Sequence, residues 1–145
     1  MLARILIACV LVGITVAVHA VGFALLVRSL TSSRAVLPTQ PWPIAWLFIR
    51  VTWVLLVIHA VEITVWALFY LWWGCLPDAE SAFYFSGVTY ATIGYGEVVL
   101  PEPWRIFAPI EGLTGILMCG LSAGLFVALA NRMFALRLGQ RDMNR

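Results

Sequence analysis

Charge is scarce in this chain. Of its 145 residues only 11% are Asp, Glu, Lys or Arg, split into 9 basic and 7 acidic, while 63% are hydrophobic. A soluble domain is nearer half apolar and a quarter charged. So few charges cannot cover a water-facing surface, which excludes a soluble globular enzyme and a disordered chain. The net charge of +2 is too small for a basic nucleic-acid-binding module, so no nucleic-acid partner is expected. Cysteine is scarce too. Cys9, Cys75 and Cys119 are odd in number, widely spaced and without a C-x-x-C pair, which excludes a disulfide framework or a thiolate zinc site. They read as small hydrophobes in or near a bilayer; only Cys75, beside Gly74 in a loop, is placed to cross-link. No apolar run carries arginines at every third position, which excludes a voltage sensor of the usual kind. No nucleophile–base pair or metal-ligand set gathers at one membrane depth, so neither an enzyme nor an organic cofactor is expected.

What the chain has instead is long apolar runs. The first covers Ile5–Val27, broken only by glycines, Thr15 and His19; as a helix it is roughly 34 Å long, enough to cross a bilayer. The second runs from about Ile44 to Trp73 and the third from about Trp104 to Met133. The expected fold is an all-α membrane protein with three transmembrane helices. Its parts are an N-terminal helix over 1–30, a linker over 31–43, an outer helix over 44–73, a segment over 78–97, an inner helix over 104–133 and a tail over 134–145. Arg4, an apolar run and Val18-His19-Ala20 also resemble a signal peptide with a small-residue cleavage site. The run continues to Val27 without a polar break, which favours a retained helix.

The linker Arg28–Pro43 holds two arginines, a Ser/Thr cluster and three prolines, and reads as a loop. Trp42 and Trp46 mark one edge of the second run; Tyr70, Trp72 and Trp73 mark the other, as in the aromatic belts of membrane interfaces. Arg28, Arg34 and Arg50 flank the linker, and Arg132, Arg137, Arg141 and Arg145 follow the last run. Asp78, Glu80, Glu97 and Glu102 lie between the second and third. The positive-inside tendency puts linker and C-terminus in the cytoplasm and the acidic segment outside, in a plasma or bacterial inner membrane, with lipid as a partner.

Residues 74–103 are too many for a tight turn and too apolar for a solvated loop. Pro77 breaks the second helix, Asp78 is a good N-cap, and Glu80 suits the positive end of a helix. Residues 79–91 then make a helix of roughly 20 Å, too short to span, so it must enter and return. Thr92-Ile93-Gly94-Tyr95-Gly96-Glu97 follows. Irregular backbone at membrane depth is tolerated only inside protein or beside a water-filled path. Alternating glycines reach left-handed angles cheaply and let successive carbonyls turn to one side.

The stretch Thr89-Tyr90-Ala91-Thr92-Ile93-Gly94-Tyr95-Gly96-Glu97 resembles the filter signature of the potassium-channel pore family, T-x-x-T-V-G-Y-G-D. The resemblance covers a helix–pore loop–helix unit from about Ile44 to Arg132; the first forty residues match nothing in two-span members. It implies a selectivity filter in which Thr92, Ile93, Gly94, Tyr95 and Gly96 replace the water shell of K+ with backbone oxygens and the Thr92 hydroxyl. Four filter strands are needed and each chain has one, so the resemblance implies a homotetramer, with room for a further regulatory subunit. Tyr84, Phe85, Val88, Thr89, Glu97 and Glu111 fall at filter-supporting positions, and the ring of Tyr95 is expected to brace against Tyr84 and Phe85. Glu97 stands in place of the usual Asp and Tyr84 where a Trp is common. The expected pairing is therefore Tyr84 with Glu97 behind the strand.

His59 and Glu62 share one face of the second helix. As a metal site they are two ligands with no third in view, and they read as packing. Glu111 is level with the filter and can hydrogen-bond behind the short helix. Gly115 or Gly120 occupies the place of a bending point in the inner helix, or serves packing with Gly124 in Gly120-x-x-x-Gly124. The leading expectation is passive K+ conduction. A less selective cation channel and a non-conducting subunit that assembles with other pore chains are the alternatives.

Overall fold

The computed structural model describes residues 2–32 and 41–143. Four helices account for most of them: α1 (Leu2–Ser32), α2 (Pro41–Trp72), α3 (Ala79–Tyr90) and α4 (Phe107–Met143), the last preceded by a single 3-10 turn at Glu102–Trp104. Leu2–Leu30, Trp42–Trp72 and Glu102–Ala135 are each long and apolar enough to cross a membrane.

Three boundaries differ from those expected. The linker is shorter at both ends, because Arg28–Ser32 continue α1 and Pro41–Pro43 already belong to α2. Proline fits a helix's first turn, where its missing N–H would have had no partner. At the other end α4 runs ten residues past Met133, through Phe134 to Met143, so most of the expected tail is helical. Residues 134–143 contain a single glycine and no proline, and nothing there stops the helix. The core of the linker, 33–40, and the last two residues lie outside the described residues.

α1 and α2 form an antiparallel pair held by successive rungs. Trp66 Nε1 donates to Thr15 Oγ1 at 3.0 Å, His19 Nδ1 meets Glu62 Oε1 at 2.9 Å, and Arg50 donates to Ser29 Oγ at 2.7 Å. Between them Gly22 lies so close to Ile58 that a methyl group there would sit 2.7 Å from its side chain. In lipid the hydrophobic effect does not drive helices together; close packing and interhelical hydrogen bonds do. These rungs are of that kind, and they build Thr15 and His19 into the fold across the Val18–Ala20 stretch.

α3 lies between α2 and α4 and packs on both. The core around it is aromatic: Phe69 stacks on Phe107 at 5.1 Å, and Tyr70 meets Phe85 edge-on at 5.3 Å. Arg4, at the start of α1, lies over the Trp104 ring at 5.6 Å and ties α1 to the head of α4. A second apolar cluster, Leu26, Val51, Leu55 and Ile58, joins the opposite ends of the long helices. The outer faces expose Leu6, Val10, Leu56, Leu117 and Leu121, a surface suited to lipid or to other apolar chains. Cys75 is buried rather than presented for cross-linking, and burial pushes its thiol up to about 11.

Candidate functional site

α3 begins where the sequence signals it. Asp78 caps it, Oδ1 accepting from the Ser81 amide at 2.8 Å and Oδ2 from the Ser81 hydroxyl at 3.0 Å. These bonds favour the carboxylate and hold Asp78 below its ordinary range. The buried residues Ala82, Phe85, Ser86 and Tyr90 recur at helical spacing and face α2 and α4.

The far end of α3 turns directly into the glycine strand. The Thr92 amide donates to Thr89 O at 2.9 Å, and the Ile93 and Gly94 amides donate to Val88 O at 2.8 and 3.1 Å. The Thr92 and Ile93 bonds form a Schellman closure, which satisfies carbonyls that a helix end leaves open. The residue in the left-handed position is normally glycine; here it is Thr92, at φ 59°. A β-branched side chain in that region is strained. Gly94 and Gly96 follow at φ 58° and 83°, whereas Ile93 and Tyr95 between them are not at positive φ. The strand therefore alternates in backbone handedness over five residues.

Having reversed, the chain runs back along α3. The Tyr84 hydroxyl donates to Glu97 Oε2 at 2.8 Å, the contact expected between these two residues. Within one chain the strand is uncovered: Ile93 is 53% and Tyr95 68% exposed. Tyr95 does not use Phe85 as a brace, since Phe85 is buried with its ring against Tyr70.

Behind α3 are two buried carboxyl groups. Glu111 of α4 accepts from Tyr70 of α2 at 2.7 Å, and its other oxygen lies 2.5 Å from Ser86 Oγ of α3. Ser86 Oγ also lies 2.9 Å from Ile63 O. One hydroxyl proton serves one acceptor at a time, so Ser86 shares its proton between the Glu111 carboxyl and Ile63 O. Glu111 thus joins α2, α3 and α4, as its level in the inner helix suggested. Glu62 gathers a larger set. His19 approaches Oε1, while Oε2 receives the Tyr90 hydroxyl and meets His59 Nδ1 at 3.0 Å. His59 Nε2 lies 3.0 Å from Ser122 Oγ of α4.

α4 approaches the end of α3 through glycine. A methyl group on Gly115 would sit 2.1 Å from Tyr90 O, and one on Gly112 3.3 Å from Thr89 O. Gly115 is thus a close-approach residue, and α4 passes through it without a break. Gly120 and Gly124 have nothing within 4 Å of such a methyl, and the helix is unbroken there too. Sequence reasoning paired His59 with Glu62 but missed His19, Tyr90 and Ser122 as their partners. His19 is 43 positions and Ser122 63 positions from the residues they meet, and no local spacing signals such contacts.

Three membrane-length helices, with a capped half-length helix and a glycine strand between the second and third, define an integral membrane protein with a structured insert between two spans. The sequence model of the ion channel family matches residues 54–132, over half of the chain. The chain belongs to this ion channel family, whose members carry ions passively across membranes. α1 lies outside the matched region. No curated protein and no solved structure matches the chain.

Proposed function

We propose that four copies of this chain surround an axial pore and that the 92–96 strands form its filter, passing K+ in preference to Na+. In this reading α3 is a re-entrant pore helix, α2 and α4 are the outer and inner pore helices, and Glu97 marks the outer mouth. The helix and strand then enter from outside, and the C-terminus is cytoplasmic.

The observation that carries the reading is the alternating backbone of Thr92, Gly94 and Gly96 with Ile93 and Tyr95. Residues of alternating handedness turn their carbonyls toward one side, whereas an ordinary strand turns them to opposite sides. A stack of carbonyls from several chains replaces a cation's hydration shell. The negative end of the α3 dipole, directly before Thr92, favours a cation in the same place. The exposure of Ile93 and Tyr95 fits a strand completed by its neighbours.

A native mass measurement in lipid, paired with K+ flux through Gly94→Ala, tests the reading. Four chains per particle are expected, with flux lost in the variant, because an added methyl penalises the left-handed backbone at φ 58°. Monomers, or unchanged selective flux through Gly94→Ala, would overturn it.

A further inference from the structure

Glu62 stands where α1, α2 and the end of α3 converge, with α4 joined through His59 and Ser122. Its oxygens meet His19 of α1 at 2.9 Å, His59 of its own helix at 3.0 Å and the Tyr90 hydroxyl of α3. Glu62 is fully buried and His19 is 2% exposed. An ionisable group at membrane depth is costly unless paired, and its presence marks function more often than packing. We propose that His19, His59 and Glu62, with Tyr90 as fourth donor, bind a divalent first-row transition metal of the zinc class.

The donor types select that class. Two imidazoles with a carboxylate suit Zn2+ and its neighbours, whereas K+, Mg2+ and Ca2+ prefer oxygen alone. The spacing agrees. One ligand atom from each of the three residues lies within 4.8 Å of the others. A tetrahedron with bonds of about 2.0–2.1 Å has edges of about 3.3 Å. The His19 contact of 2.9 Å is to Glu62 Oε1 and the His59 contact of 3.0 Å is to Oε2, so each is a few tenths of an ångström short of an edge and the carboxylate holds the ion through both oxygens or turns one toward it. The Tyr90 oxygen, 3.0 Å from His59 Nδ1, supplies the remaining corner.

The surroundings supply for His59 what a ligating histidine needs. A metal-bound imidazole is normally held by a hydrogen bond from its other nitrogen. Ser122, 3.0 Å from His59 Nε2, accepts that proton and leaves Nδ1 as a lone pair toward Glu62. His19 Nε2 is the buried side-chain polar atom without a partner among the described residues. For His19 to ligate through Nδ1 its proton moves to Nε2, where it breaks no existing bond but gains no acceptor among the described residues, so His19 is the less supported of the two imidazoles. Each imidazole keeps one proton in this exchange, Glu62 binds as the carboxylate, and Tyr90 coordinates as the neutral phenol, its proton staying on the oxygen. A groove of about 590 Å³ between α1 and α4, lined by His19, Phe23, Val27, Arg28 and Met118, offers a route toward the cluster.

Tyr90 lies two residues before Thr92, so an ion here would clamp α1 and α2 to the foot of the glycine strand. The site itself stands whether or not that strand selects K+, and binding is read without any flux measurement.

The chain contains only two histidines, so nitrogen ligation in an untagged protein reports this cluster alone. The experiment titrates the full chain in lipid nanodiscs, stripped with chelator, with Co2+ followed by visible absorption, then displaces it with Zn2+. One Co2+ per chain is expected, with the intense bands of a four-coordinate nitrogen–oxygen site and no thiolate charge-transfer band. His19→Gln and His59→Gln should each weaken binding at least tenfold, and Zn2+ should raise the unfolding temperature of the wild-type chain only. A wild-type chain that develops no such bands, or thiolate bands in their place, would overturn the proposal without reference to any variant. So would binding that both histidine variants leave unchanged.

Discussion

The Tyr84 hydroxyl donates to Glu97 at 2.8 Å, joining residues 13 positions apart across the reversal that follows α3. The bond ties the returning strand to the helix that launched it. Glu97 is one methylene longer than aspartate, and that length carries the carboxylate to a phenol rather than an indole.

Tyr84→Phe should therefore preserve assembly but shorten the conducting state, seen as faster decay of macroscopic current. If Glu97 only concentrated cations at the mouth, Tyr84→Phe would be silent. Glu97→Gln would then lower conductance mainly at low salt, where screening is weak. Recording both variants at two ionic strengths separates the two roles.

Gly115 and Gly120 should respond oppositely to alanine. A methyl on Gly115 meets the Tyr90 carbonyl at 2.1 Å, and backbone cannot move aside as a flexible side chain can. Gly115→Ala should destabilise the chain by about 1–3 kcal/mol, the range for overpacking, and weaken flux by displacing the end of α3. Gly120→Ala meets nothing within 4 Å and should gain up to about 1 kcal/mol from helix propensity. Thermal unfolding of both variants in one detergent checks the contrast.

Thr92 holds a left-handed backbone at φ 59° against its β-branched side chain. Thr92→Gly should relieve about 1–2 kcal/mol of strain and raise the unfolding temperature, while costing K+ flux through loss of the hydroxyl at the foot of the strand. A variant that is both less stable and fully conducting would contradict the assignment of strain to this residue.

Asp78 gives a pH dependence with a definite sign. Its bonds to Ser81 depress the folded-state value below the ordinary 3.8. The stabilisation is thus fully present above pH 3.8 and disappears as pH falls through the lower folded value. Asp78→Ala should lower the unfolding temperature by a constant amount from pH 5 to 8, and the gap to wild type should begin to narrow below about pH 3.8 and vanish once pH passes the lower folded value. A gap that persists in acid would mean that the carboxylate is not the capping group.

Much of this architecture is legible in the sequence because the signals are local. Three apolar runs set the spans, Asp78 and Glu80 start the short helix, and the glycines at 94 and 96 mark the irregular strand. What escaped is contact between distant segments. Nothing local tells that His19 meets Glu62, that Tyr90 reaches the same carboxylate, or that Phe85 turns to Tyr70 instead of Tyr95. The glycines of α4 were equally silent, since a methyl that clashes at Gly115 and one that meets nothing at Gly120 are decided by which face meets α3. Helix ends are less legible where a proline such as Pro41 or Pro43 stands in a first turn, because in sequence it has the look of a breaker.

The central claim is selective conduction through the 92–96 strand, and the direct measurement is the reversal potential of the purified wild-type chain in a bilayer with K+ on one side and Na+ on the other. The account predicts a reversal potential near the K+ equilibrium value and a block by external barium, which matches K+ in size but is held too long by its double charge. A reversal potential near zero, with a current insensitive to barium, would contradict it.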